Sequence, residues 1–161
     1  MPASSHAASA REVTALLNDA DASELDALVA RYGEDPRKQV RHAVASALRR
    51  RDAALRERER VEEMYRLQRE LGGDGMVLGV DEVGRGSIAG PLTVAAVALP
   101  VFPMVWGIND SKQLSPARRE VLAARIAEVA LAIGIAHVEP ASIDAVGMST
   151  ALRMAMAQAI G

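Results

Sequence analysis

The sequence predicts an α/β domain preceded by a small, basic, α-helical extension. Two observations carry that prediction. Up to Leu71 the chain reads as charged helices, with apolar residues at helical spacing. After the glycine-rich break Gly72-Gly73-Asp74-Gly75 it reads as short apolar runs alternating with helical segments. That break divides residues 1–71 from a domain over 76–161, with 72–75 as a flexible linker.

In the first part, residues 1–10 are small and polar and read as a disordered tail. Arg11 to Asn18 and Ala22 to Arg31 are short helices, with Asp21 and Ser23 as candidate N-caps. Tyr32-Gly33-Glu34-Asp35-Pro36 is a stop and turn. From Arg37 to Leu71 a long helical stretch carries two apolar stripes, Val40/Val44/Ala47/Leu48 and Val61/Met64/Tyr65/Leu71.

Beyond the break, Met76 to Val83 reads as a strand. Leu92 to Leu99 reads as a second, apolar nearly throughout and so expected to be buried on both faces. Asn109-Asp110-Ser111-Lys112 is a polar loop. Ser115-Pro116 opens an N-capped helix through Val129. Leu131 to Val138 is a third strand, Glu139 to Ile143 a turn or short helix, and Met148 to Ile160 a Met/Ala-rich helix.

Composition narrows the function classes. The chain has 161 residues, half of them hydrophobic but only 2% aromatic, so its core must be aliphatic. It has no cysteine, which excludes disulfides and thiolate metal sites; a metal would need oxygen or histidine ligands. His6, His42 and His137 are scattered. No apolar run approaches the ~20 residues that span a bilayer, and the first ten residues do not resemble a secretion signal. The expectation is a cytoplasmic monomer with no membrane contact. The net charge of −2 conceals a segment, Arg37 to Arg69, with a net charge of +6. A basic run is most often a solvated helix face, but it also suits a polyanion.

The chemistry concentrates in Val80-Asp81-Glu82-Val83-Gly84-Arg85-Gly86. Two carboxylates end an apolar strand, which suits a divalent cation, or else a solvated strand end paired with Arg85. Strand alternation puts Asp81 and Glu82 on opposite faces, so both need not ligate one ion through their side chains. Gly-Arg-Gly admits a phosphate or sugar hydroxyl close to the backbone, or is a plain turn with a surface arginine. Gly84, Gly86 and Ala89 also match a dinucleotide-binding G-x-G-x-x-A, but that motif requires a helix where Gly90-Pro91 and a β-like run follow.

Taken in order, Val80 to Gly86, Ala89-Gly90-Pro91, a Val/Ala strand and Asn109-Asp110-Ser111-Lys112-Gln113-Leu114-Ser115 resemble bacterial ribonuclease HII. The resemblance covers residues 76–161; the basic helices resemble, in character, the N-terminal extension of some members. It implies an RNase H-like fold with a central mixed sheet. It implies hydrolysis of the RNA strand of RNA–DNA hybrids and nicking at ribonucleotides embedded in duplex DNA. It also implies four acidic residues holding two Mg²⁺ or Mn²⁺ ions. Asp81 and Glu82 match the first two acids, as catalytic and metal-binding residues. Gly84, Arg85 and Gly86 match the motif that reads the ribose 2′-hydroxyl and its phosphate, and Lys112 matches a residue near the nucleic-acid backbone. The remaining acids have no match here, so the chain is expected to be inactive alone, with a role in ribonucleotide repair once completed. The competing expectations are a non-catalytic nucleic-acid binder using the basic helices, and a helical protein-interaction module.

Overall fold

The computed structural model describes residues 8–87 and 90–161. They form two compact units that divide at Glu59/Arg60, inside one long helix.

In the first unit, α1 (Ala10–Asp19) and α2 (Ala22–Tyr32) precede the start of α3 (Lys38–Gly72). Each short helix begins with a reciprocal cap. The Glu12 amide donates to the Ser9 hydroxyl at 3.2 Å and the Ser9 amide to the Glu12 carboxylate at 2.7 Å. Asp21 and Glu24 repeat the pattern, so Asp21 rather than Ser23 is the cap of α2. Such caps contribute about 1 kcal/mol each. Ser9 and Ala10 of the expected tail thus belong to α1; residues 1–7 lie outside the described residues. Val13, Leu17, Leu25, Tyr32, Val40, Val44 and Ala47 close the core, which makes the first predicted stripe of α3 a packing surface.

Asp35 ties down the entry to α3. Its carboxylate accepts from the Arg37 side chain at 2.9 and 2.7 Å and from the Arg37 amide at 2.9 Å. Arg37 also donates to the Ala8 carbonyl at 2.7 Å. The guanidinium hydrogen bonds hold the Asp35 carboxyl at about 2, below the usual 3.8.

In the second unit, the end of α3 is followed by β1 (Gly79–Val83), β2 (Leu92–Ala98), α4 (Pro116–Val129), β3 (Ala132–Val138), α5 (Pro140–Val146) and α6 (Met148–Ile160). The strands form one antiparallel sheet in the order β1-β2-β3. Asp81 pairs with Ala95, and Ala95 with Ile135; Val83 pairs with Thr93, and Thr93 with His137. β1 is shorter than predicted, because Met76, Val77 and Leu78 lead into the strand without joining the ladder.

One face of the sheet is closed. Leu92, Val94, Ala96, Ala136 and Val138 pack against Ala151, Ala155 and Ala159 of α6. Those alanines recur every fourth residue and form a smooth stripe, so helix and strand approach closely. At Gly134 a Cβ would lie only 1.9 Å from the Ala159 carbonyl oxygen. The opposite face is more open: Thr93, Ala95 and Val97 are half-buried, and Ile133 and Ile135 are 45% and 59% exposed. The apolar run of β2 therefore does not signify burial on both faces; only alternate residues reach the α6 core.

The last turns of α3 belong to this unit. Val61 and Tyr65 are buried, and Gln68 donates to the Leu99 carbonyl at 2.7 Å. Met64 and Leu71, expected in the same stripe, are exposed.

Two outcomes follow for stability. Gly134→Ala should force α6 away from the sheet and cost about 1–3 kcal/mol, read as a lower urea midpoint. Because the folded Asp35 carboxyl titrates below its unfolded value, its contribution is present above pH 3.8 and lost as the pH falls toward about 2. Acid titration followed by circular dichroism should show that loss, and Asp35→Asn should remove this component.

Candidate active site

The β1–β2 register places the acids. Val80 and Glu82 point to the face that α6 covers, and Val80 packs against that core. Asp81 points to the open face, in one row with Ala95 and Ile135. Asp81 is exposed, and its Oδ1 lies 2.9 Å from the Glu82 amide. The Glu82 side chain is 20% exposed and pairs with the Arg85 guanidinium at 3.3 Å. The strand thus gives each carboxylate its own surroundings, as alternation predicts.

The turn after β1 is built on glycine for a definite reason. Gly84 has φ +95°, and a Cβ there would lie 2.4 Å from the Pro91 carbonyl oxygen. Its carbonyl accepts from the Ser87 amide at 3.1 Å, closing the turn around Arg85 and Gly86. Among the described residues nothing lies within 4 Å of a Cβ built on Gly86. An arginine whose side chain is 62% exposed stands between the two glycines. Such a turn can present backbone and cation together to an anionic, hydroxyl-bearing ligand. Ala89, part of the sequence pattern on both readings of this segment, lies outside the described residues.

Lys112 lies on a 3-10 turn over Ser111–Gln113. Asp110 caps that turn by accepting from the Lys112 amide at 2.9 Å. The lysine side chain is exposed.

The register also brings in residues that sequence spacing passed over. Val83, Thr93 and His137 form the row next to that of Asp81, on the same face. Thr93 Oγ1 and His137 Nδ1 are 2.8 Å apart. No local signal in the sequence could join them, because they lie 44 residues apart.

Hard carboxylate oxygens suit Mg²⁺ or Mn²⁺, yet the carboxylates here do not complete a site for two such ions. Asp81 and Glu82 occupy opposite faces. Among the described residues no group of three or more His, Cys, Asp or Glu side chains could hold a metal. A groove of about 770 Å³, lined by Arg11, Thr14, Asn18, Lys38 and His42 among others, lies in the first unit and includes none of these acids.

The family model for ribonuclease HII matches residues 78–161, and that for the ribonuclease HII N-terminal domain matches residues 9–72. The chain belongs to the ribonuclease HII family. It is 40% identical to a ribonuclease HII of Geobacillus thermodenitrificans over 152 residues, covering 93% of this chain and 58% of the relative. Identity to a ribonuclease HII of Listeria monocytogenes is 40% over 140 residues, covering 86% and 54%. Identity to that of Moorella thermoacetica is 47% over 110 residues, covering 67% and 53%. The chain therefore spans a little over half the length of these relatives. Six helices and a three-stranded antiparallel sheet among the described residues agree with part of an RNase H-like α/β fold. No helix among them is long and apolar enough to cross a membrane.

In this chain the two glycines of Gly84-Arg85-Gly86 should respond differently to a methyl group. Gly84→Ala meets both a disfavoured φ and the Pro91 carbonyl and should lower the urea midpoint. Gly86→Ala should leave the midpoint unchanged.

Proposed function

We propose that this chain supplies the substrate-reading turn and the first two carboxylates of a ribonuclease HII active site. The reaction is hydrolysis of phosphodiester bonds in the RNA strand of RNA–DNA hybrids and beside single ribonucleotides in duplex DNA. The observation that carries this reading is the continuity of one strand and one turn. β1 delivers Asp81 to an open sheet face, and the glycine turn that follows exposes backbone and Arg85 at the end of the same strand.

The roles divide accordingly. Asp81 is the carboxylate free to enter a metal site, and Glu82, part-buried beside Arg85, is the second ligand-bearing residue. Gly84, Arg85 and Gly86 meet the ribonucleotide, with backbone groups approaching the 2′-hydroxyl and the guanidinium the neighbouring phosphate. Lys112 contacts the nucleic-acid backbone as a point charge. Mg²⁺ or Mn²⁺ would supply the electrostatic stabilisation such a reaction needs. Two carboxylates on opposite faces do not fit that pair of ions alone, so this stretch is half of the metal site and is inactive by itself. The cytoplasm and the repair of ribonucleotides in DNA are the setting that this reading supplies.

The alternative, a non-catalytic nucleic-acid binder built on the basic helix, has less free charge than the sequence suggests. Arg37 is paired with Asp35, Arg51 with Asp26, and Arg66 with Glu63 and Glu70. Arg50 is spent on the Leu17 carbonyl.

The test compares the 161-residue chain with a fusion that adds the portion of a longer relative lying outside the match. On a duplex with one ribonucleotide and Mn²⁺, the chain alone should give little or no cleavage, whereas the fusion should cleave. Asp81→Asn in the fusion should lower the rate by more than about 100-fold, beyond the 10–100-fold typical of residues that only support a metal ligand. Strong cleavage by the chain alone would refute the half-site, and retained cleavage by the Asp81→Asn fusion would refute the role of Asp81.

A further inference from the structure

The segment joining β2 to α4 carries Lys112 and is gripped from two sides. On one side is the end of α3. The Tyr65 hydroxyl accepts from the buried Val105 amide at 2.9 Å, and the Arg60 guanidinium donates to the Ile108 carbonyl. On the other side is α4. Arg119 lies one turn inside that helix, whose start is fixed by Pro116 and by the Ser115 cap. A single nitrogen of its guanidinium, Nη1, donates to the Ser111 carbonyl at 3.0 Å and to the Leu114 carbonyl at 2.8 Å.

Those two carbonyls flank Lys112. The Ser111 carbonyl also accepts from the Leu114 amide at 3.3 Å, longer than the 2.9 Å from the Gln113 amide to the Asp110 carbonyl, so the C-terminal end of the turn is its weaker closure. Arg119 adds a second closure from a helix, a far stiffer frame than the loop. Meanwhile the ammonium of Lys112 pairs with no carboxylate among the described residues. The loop therefore holds a free cation on a tethered backbone. A long, flexible lysine gains by having its Cα fixed, since less freedom is left to lose when the ammonium meets its ligand.

We propose that Arg119 is the positioning residue for Lys112, holding it where a phosphate of an RNA–DNA duplex is received. This rests on the reading of Lys112 as a backbone contact. Arg119 acts through the Ser111 and Leu114 carbonyls and itself touches no phosphate. Because both hydrogen bonds leave from one nitrogen, a lysine ammonium at 119 can make them too.

Fluorescence anisotropy of the full chain with a short RNA–DNA hybrid, across a salt series, separates the possibilities. Each phosphate neutralised contributes about 0.9 to the slope of log K against log salt. Lys112→Ala should make the slope shallower by about 0.9, and Arg119→Met should do the same. The double variant should lose no more than either, and Arg119→Lys should restore the wild-type slope. An unchanged circular-dichroism melt is the control for Arg119, an exposed residue; if Arg119→Met does not fold, Arg119→Gln takes its place.

A normal slope for the Arg119 variant beside a shallow one for Lys112→Ala overturns the positioning role alone. A double variant shallower by a further ~0.9 also overturns it, because Arg119 would then meet a phosphate directly. A normal slope for Lys112→Ala, or no salt-dependent binding by the wild-type chain, removes the reading of Lys112 and the positioning role with it.

Discussion

The pairing of β2 with both of its neighbours is the constraint on which the rest of the second unit depends. Leu92, Val94, Ala96 and Ala98 are buried while the residues between them are only half-buried. That alternation fixes which face of the sheet meets α6. A shift of one residue in the β1–β2 register would turn Asp81 into the alanine-lined core and Glu82 out of it. The placement of the two acids is thus set by a largely apolar strand. α6 reinforces the register, because Gly134 is the position in β3 where the helix backbone comes close.

The long helix α3 does two jobs with one amphipathic pattern. Its first stripe closes the core of the helical unit, and its last turns, through Val61, Tyr65 and Gln68, belong to the unit that holds the acids. The tyrosine matters most among these: its hydroxyl satisfies a buried amide at Val105 that would otherwise lack a partner at considerable cost. The same helix explains why a basic segment need not be a nucleic-acid grip. Several of its arginines serve as internal ties to carboxylates and carbonyls, so a count of charges overstates what is free to meet a polyanion.

Much of this was legible in the sequence where local rules decide. Pro116 after Ser115 marked the start of α4, the helical spacing of apolar residues marked α1 to α3, and Asp21 was among the expected caps. Adjacent carboxylates on a strand had to face opposite ways, and they do. What local rules could not supply was set by tertiary contacts. The apolar run Leu92–Leu99 looked suited to burial on both sides, but which face is covered depends on α6, which begins only at Met148. Met64 and Leu71 fit the stripe by spacing yet are exposed, because their part of α3 meets its neighbours through Val61 and Tyr65. The Arg119 bridge to Ser111 and Leu114, and the Thr93–His137 pair beside the Asp81 row, become visible only once the chain is folded.

On the proposed reading, Asp81 and Glu82 form one side of a larger carboxylate site. Their strand separates them onto two faces, and no third acid among the described residues joins either one. The family's divalent chemistry would then require carboxylates from sequence outside the match. Titration of the wild-type chain with Mn²⁺, followed by electron paramagnetic resonance with Asp81→Asn as the reference, tests this most directly. The account predicts weak, non-saturating uptake that barely differs between the two proteins. A saturable two-ion site in the wild-type chain, lost in Asp81→Asn, would contradict it.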